Sequence, residues 1–234
     1  MLTVISCRES SANSDRFGAH VIPGRSDRFD GGPVGRPVLI HGYNCTESQA
    51  VGSGTAFANA IGQECVAYSW PGGCHALDFP AAVGRATLAG YRLRDVFSMR
   101  YGRSSAEQII THSLGARVAL SALNHSGLAV KTLILMAPAL DWNAFEHGGE
   151  FELVPSCCEA VHILYSNRDE VLKLAYPIGD IGGGSHALGL DGPRDPLQVP
   201  HNVFLHDVSA FIPNHTSYLS EPKCAKLVRQ ILGT

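Results

Sequence analysis

From residue 37 onward, short unbroken apolar runs alternate with longer stretches in which apolar residues recur at helical spacing. The runs at 38–41, 65–69, 107–112, 131–136, 160–165 and 202–206 are dense in Val, Ile and Leu, and most lack the every-other-residue polarity of a half-exposed strand. Strands buried on both faces of a parallel sheet have this character. The intervening stretches 47–62, 80–100, 114–126, 168–175 and 219–232 read as helices. Within 80–100, Val83, Leu88, Tyr91, Leu93 and Val96 make a partly amphipathic stripe. Strand–helix alternation of this kind predicts an α/β architecture, a mostly parallel central sheet with helices on both faces. Active sites in such folds collect at the carboxyl ends of the strands.

Two regions break the rhythm. Residues 1–36 are rich in Gly, Arg, Asp and Ser, with apolar runs only at 2–6 and 20–22. They predict an N-terminal lead-in with edge strands ahead of a core over 37–234, one domain overall. The segment 179–201 is full of Gly, Pro and Asp and predicts a long ordered loop, of the sort that is usually functional. The connection from 136 to 160 is short and leaves no room for a large lid domain.

Composition narrows the function classes. Of 234 residues, 45 % are hydrophobic and 17 % charged, the balance of a soluble globular enzyme. A formal net charge of −3 and the absence of any Lys/Arg cluster give a nucleic-acid partner no support. No apolar run is long enough to span a membrane. Val4-Ile5-Ser6-Cys7 weakly mimics a lipoprotein cleavage box, but the basic start and longer apolar core of a secretory signal are missing. Those residues are therefore read as a first strand, and the chain is expected to be cytoplasmic, with a secreted mature form that has lost its signal as the alternative. The seven cysteines show no zinc-ligand spacing and are read as reduced, mostly structural thiols, Cys65 among the buried ones.

The candidate chemistry begins at Ile109-Ile110-Thr111-His112-Ser113-Leu114-Gly115, an apolar strand running straight into Ser and Gly and then a helical Ala/Leu pattern. A sharp strand-to-helix turn of this kind lifts a nucleophilic hydroxyl out of the sheet, and small flanking residues let the new helix pass close behind it. Alone, a Ser-x-Gly would equally suit a helix N-cap; three further parts separate the two readings. Val38-Leu39-Ile40-His41-Gly42-Tyr43-Asn44 ends a strand in His-Gly, after which a backbone N–H can donate to a developing oxyanion. The two donors would be the N–H groups of Tyr43 and Leu114, with His41 in a structural role. Asp169 and Asp141 both follow strands and are candidates for the acid that orients a histidine. For the base, the order Ser, Asp, His requires a late histidine. His215 follows the last predicted strand, whereas His206 lies within it and His201 before it.

Together, His41-Gly42-Tyr43-Asn44, Tyr68-Ser69-Trp70-Pro71, His112-Ser113-Leu114-Gly115, Tyr165-Ser166-Asn167-Arg168-Asp169 and His215…Tyr218 resemble a family of bacterial α/β-hydrolases of largely undefined function, from about residue 37 to the C-terminus. The resemblance implies the α/β-hydrolase fold and a catalytic triad of Ser113, Asp169 and His215, with Asp169 preferred over Asp141. Thr111 departs from the pattern, which has a smaller residue there, and asks for a slightly wider strand–helix approach. The expected activity is hydrolysis of a small-molecule carboxylic ester through an acyl-enzyme, with no metal or organic cofactor. The same triad would serve a thioester, amide or lactone, and a non-catalytic binding module is the rival of a different class. Trp70, Phe79, Trp142 and Phe145 are candidates either for a substrate pocket or for packing.

Overall fold

Each apolar run becomes a strand of one eight-stranded sheet. The computed structural model describes residues 2–8, 17–23, 35–73, 78–101, 108–126, 128–179 and 186–234. Its strands are β1 (Leu2–Arg8), β2 (Phe17–Pro23), β3 (Val38–Ile40), β4 (Cys65–Ser69), β5 (Gln108–His112), β6 (Val130–Met136), β7 (Cys158–Tyr165) and β8 (Val203–Asp207). They lie in the order β2-β1-β4-β3-β5-β6-β7-β8, seven of them parallel and β2 antiparallel at one edge. All three residues of β3 and all five of β4 are buried, so both faces of the sheet centre are covered.

The helices are α1 (Glu47–Ile61), α2 (Phe79–Tyr101), α3 (Gly115–Leu123), α4 (Glu170–Gly179), the single turn α5 (Leu188–Asp191) and α6 (Pro222–Leu232). Local chemistry sets their ends. Thr46 caps α1 by accepting from the Gln49 N–H, the Gln49 side chain returns the bond to the Thr46 N–H, and Gly62 closes the helix in the left-handed region. Glu221 caps α6, Pro222 opens it and Gly233 ends it. α1 packs with α6 and α2 with α3. The second pair is close enough that a Cβ on Gly90 would lie 2.5 Å from the Val118 carbonyl oxygen. The buried side chains of strands and helices merge into one hydrophobic core. Among the described residues no helix is long and apolar enough to cross a membrane.

Two expectations change. β2 takes the sheet edge, but β1 does not; it lies between β2 and β4 and pairs in parallel with β4 through five residues. Of the 179–201 segment, residues 180–185 fall outside the described residues. Residues 186–200 are no plain loop: they contain α5, an isolated bridge from Ala187 to Asp141, and a backbone bond from the Trp142 N–H to the His186 carbonyl. The wholly buried Glu146 ties the same two segments, accepting from the Asp195 N–H at 2.8 Å and from the Arg194 guanidinium. Among the described residues six cysteines, Cys65 included, are free thiols.

Candidate active site

β5 ends at His112, and the next residue, Ser113, stands at φ +55°, in the left-handed region that side chains other than glycine rarely adopt. Such strain, of order 1 kcal/mol or more, persists only where the surroundings over-determine it. Here the Ser113 N–H donates to the Met136 carbonyl at 2.9 Å, and its own carbonyl accepts from Ala116 at 3.0 Å and Ala139 at 3.3 Å. Two glycines make room. A Cβ on Gly115 would come within 2.5 Å of the His41 carbonyl oxygen, and one on Gly42 within 2.9 Å of the Ser113 Cβ. The turn therefore brings the first residues of α3 against the end of β3. Thr111 is accommodated fully buried, its hydroxyl directed at the Ile134 carbonyl (3.4 Å) on β6.

Asp169 follows β7 and lies wholly buried in the turn that opens α4. Its Oδ1 accepts from the Leu172 N–H at 3.0 Å, and its Oδ2 is 2.6 Å from Nδ1 of His215, which follows β8. A carboxylate can only accept, so Nδ1 carries the proton and a neutral His215 ring keeps its lone pair on Nε2. Ser166 supports the turn, its hydroxyl donating to the Ile212 carbonyl at 3.0 Å and its own carbonyl accepting from the Asp169 N–H. His215 is also tied to the strand that leads into Ser113. His112 Nε2 donates to the His215 carbonyl at 2.8 Å, with the two rings 4.7 Å apart. Burial, and next the neighbouring His215, push the His112 pKa down to about 3, so it is a neutral clamp. The sequence marks His112 only as a neighbour of Ser113, and its bond spans 103 residues.

Asp141 is engaged elsewhere, accepting from the Tyr176 hydroxyl at 2.7 Å and bridging to Ala187. His206 pairs with His162 at 3.0 Å on the β7–β8 face, and His201 is exposed.

At the end of β3, His41 is locked by three bonds. Its Nδ1 contacts the Gly42 carbonyl at 2.8 Å, its Nε2 accepts from the Trp70 N–H at 3.1 Å, and its carbonyl accepts from the Trp70 indole at 2.8 Å. The partners dictate the tautomer: a carbonyl needs a donor and an N–H needs an acceptor, so the proton is on Nδ1. Burial first, and then the charge of Arg8, push the His41 pKa down to about 3, which suits a structural ring and not a base. The chain then turns through Tyr43 and Asn44, the latter at φ +51° with its N–H on the Gly72 carbonyl. Leu114, the residue after Ser113, is fully buried, and among the described residues no hydrogen bond engages its N–H.

Of the four aromatic candidates, Trp70 and Phe145 are core residues, Trp70 stacked on His41 with ring centroids 5.5 Å apart. Phe79 is half-buried between Tyr43 (5.4 Å) and Tyr176 (6.4 Å), and Trp142 stacks on His186 at 4.3 Å. Among the described residues no three His, Cys, Asp or Glu side chains cluster as metal ligands.

In fold the chain is similar to lipase B of Aspergillus fumigatus, with a TM-score of 0.50 and 15 % identity over 97 % of this chain. It spans about 60 % of that lipase's length. Esterase PE8 is a more distant likeness, with a TM-score of 0.44 and 13 % identity over 84 % of this chain and 90 % of that one. No curated protein sequence matches. The model of a family described as "Alpha/beta hydrolase of unknown function (DUF900)" matches residues 37–186, well over half of the chain, and the protein belongs to that α/β-hydrolase family.

Proposed function

We propose that this hydrolase cleaves carboxylic esters through an acyl-enzyme, with Ser113 as nucleophile, His215 as general base and acid, and Asp169 as the residue that orients His215. The observation that carries this reading is the pairing of two features at the carboxyl ends of strands in one sheet, after β5 and after β7 and β8. One is a buried Asp169–His215 hydrogen bond of 2.6 Å; the other is a strained, left-handed Ser113 whose preceding residue holds the His215 backbone.

The chemistry follows from that arrangement. Nε2 of neutral His215 takes the Ser113 hydroxyl proton as Oγ attacks the ester carbonyl, and Asp169 stabilises the resulting imidazolium without itself taking the proton. The carbonyl oxygen gains negative charge and is held by the N–H groups of Tyr43 and Leu114. The imidazolium then gives its proton to the departing alkoxide, leaving an acyl-Ser113. A water, deprotonated by His215, hydrolyses that acyl group and returns the hydroxyl. The half-buried aromatic face of Tyr43 and Phe79 supplies apolar surface beside the oxyanion donor.

The test is single-site labelling with a serine-directed phosphonate, together with a panel of aryl esters, thioesters and amides. Wild type should gain one adduct, on Ser113, and turn over the esters fastest. Ser113→Ala should fold normally, take no label and lose roughly 10⁴-fold or more in turnover. Undiminished turnover in pure Ser113→Ala would remove the nucleophile from the proposal.

A further inference from the structure

Arg8 is the last residue of β1, in the lead-in that precedes the family match, and it is only 1 % exposed. A buried guanidinium is costly unless its donors are used, and its bonds run to the ends of two other strands. Nε donates to the Ser69 hydroxyl (2.9 Å) at the end of β4, and one terminal nitrogen donates to the Cys45 carbonyl (2.6 Å). That same nitrogen lies 3.4 Å from Nε2 of His41. Arg8 therefore grips both sides of the 41–45 turn.

The bonds of His41 carry this grip to the site. Nε2 accepts from the Trp70 N–H and faces Arg8, while Nδ1–H donates to the Gly42 carbonyl. The Gly42 carbonyl belongs to the same peptide unit as the Tyr43 N–H. Hydrogen bonds in series polarise one another, so a donor on that carbonyl makes the N–H at the other end of the peptide a stronger donor. A cation at the far nitrogen of the imidazole strengthens the Nδ1–H in the same direction.

We infer that Arg8 is a positioning residue for the oxyanion site. It fixes the 41–45 turn through Cys45 and Ser69, and through His41 it polarises the Gly42–Tyr43 peptide whose N–H meets the developing oxyanion. This rests on the assignment of Tyr43 as an oxyanion donor. The effect belongs to the transition state, because the ester carbonyl of the bound substrate carries far less charge than the tetrahedral intermediate. It is also separate from the base: none of these groups touches His215 or Asp169 in the bonds given above.

The experiment uses the full chain with Arg8→Gln and Arg8→Lys, each checked for folding by its melting curve. Arg8→Gln should lower kcat by about 10- to 100-fold, somewhat less than outright loss of an oxyanion donor. KM should stay within about twofold, and the ascending limb of the pH–rate profile should not move. Arg8→Lys, which keeps the charge but loses the fork, should recover part of the loss. In ¹⁵N-labelled protein without substrate, the Tyr43 amide proton should move upfield in Arg8→Gln as its peptide loses polarisation. A folded Arg8→Gln with wild-type kcat, or an unmoved Tyr43 amide, would overturn the inference, as would a loss confined to KM. If Arg8→Gln does not fold, Arg8→Lys and Ser69→Ala are read in the same two ways, and unchanged kcat and Tyr43 shift in both overturn it. A wild type that neither labels nor turns over would defeat the hydrolase reading instead, and the amide shift would still decide the role of Arg8.

Discussion

Asp169 has both carboxylate oxygens committed, one to the Leu172 N–H and one to His215. That double commitment makes Asp169→Asn informative. An amide must keep its oxygen toward the Leu172 N–H or bury two opposed donors, so its NH₂ faces Nδ1 of His215. Nδ1 then has to accept, the proton moves to Nε2, and the lone pair needed for Ser113 disappears. Turnover and the phosphonate labelling rate should fall roughly 10⁴-fold with little change in melting temperature. Asp141→Asn, whose carboxylate instead accepts from Tyr176, should cost far less. A larger loss for Asp141→Asn would place the acid on the earlier strand. The pH dependence separates the histidines. His41 and His112 titrate near 3, so an ascending limb between about pH 5 and 8 belongs to neither. His215→Ala should abolish that limb along with turnover, while His112→Ala, which removes the backbone clamp and the ring contact but not the His215 imidazole, should lose rate but keep the limb. A rate profile for His215→Ala that still rises with near-normal turnover would exclude it as the base.

At the scale of elements, close approach is what the glycines report. Gly115 sits where α3 leaves Ser113, and an alanine there would put its Cβ 2.5 and 2.6 Å from the carbonyl oxygens of His41 and Ile40. Both obstacles are backbone, so the start of α3 and the end of β3 must separate. We expect Gly115→Ala to destabilise by about 1–3 kcal/mol, the usual range for overpacking, and to slow phosphonate labelling. Within α2 two glycines should behave oppositely. A Cβ on Gly90 meets Val118 and Ser121 of α3 at 2.5 and 2.6 Å, whereas one on the exposed Gly84 meets nothing within 4 Å. Gly90→Ala should lose about 1–3 kcal/mol, and Gly84→Ala should gain about 0.5–1 kcal/mol by removing backbone entropy from the unfolded chain. Urea unfolding of the pair measures both; effects of the same sign would mean that the α2–α3 contact is looser than described.

The molecule as a whole carries a pH liability in its buried rings. His41 and His112 remain neutral in the folded chain down to about 3, against an ordinary value of 6.5 once unfolded. Between those values the unfolded chain binds more protons, so stability is intact above about pH 6.5 and falls as pH drops toward 3. The slope is about 1.4 kcal/mol per pH unit for each ring at full difference. Denaturant unfolding across this window should show that decline, and His112→Gln should remove one proton's share of the slope. An identical slope in the variant would mean that His112 is not held neutral by the fold.

Apart from α5, which lies in a stretch read as a loop, the strands and helices from 38 to 232 were legible because a buried parallel strand and an amphipathic helix each leave a local signature, unbroken Val/Ile/Leu runs or helical spacing. Ser113, Asp169 and His215 could be picked out as candidates, since strand ends in an α/β sheet mark where chemistry collects. The partnerships were not. Which Asp meets His215 depends on β7 lying beside β8, 46 residues away in sequence from one side chain to the other. The clamp from His112 to His215 and the grip of Arg8 on Cys45 and Ser69 are likewise long-range bonds between residue types found everywhere in sequences. The lead-in read as an edge because its apolar runs are short, yet β1 finds its burial from β4 and β2 together. Local pattern determines which segments form strands and helices. Only the packed tertiary structure decides which side chains share a hydrogen bond, because that choice is made by strand order and by the burial of polar groups that must find a partner.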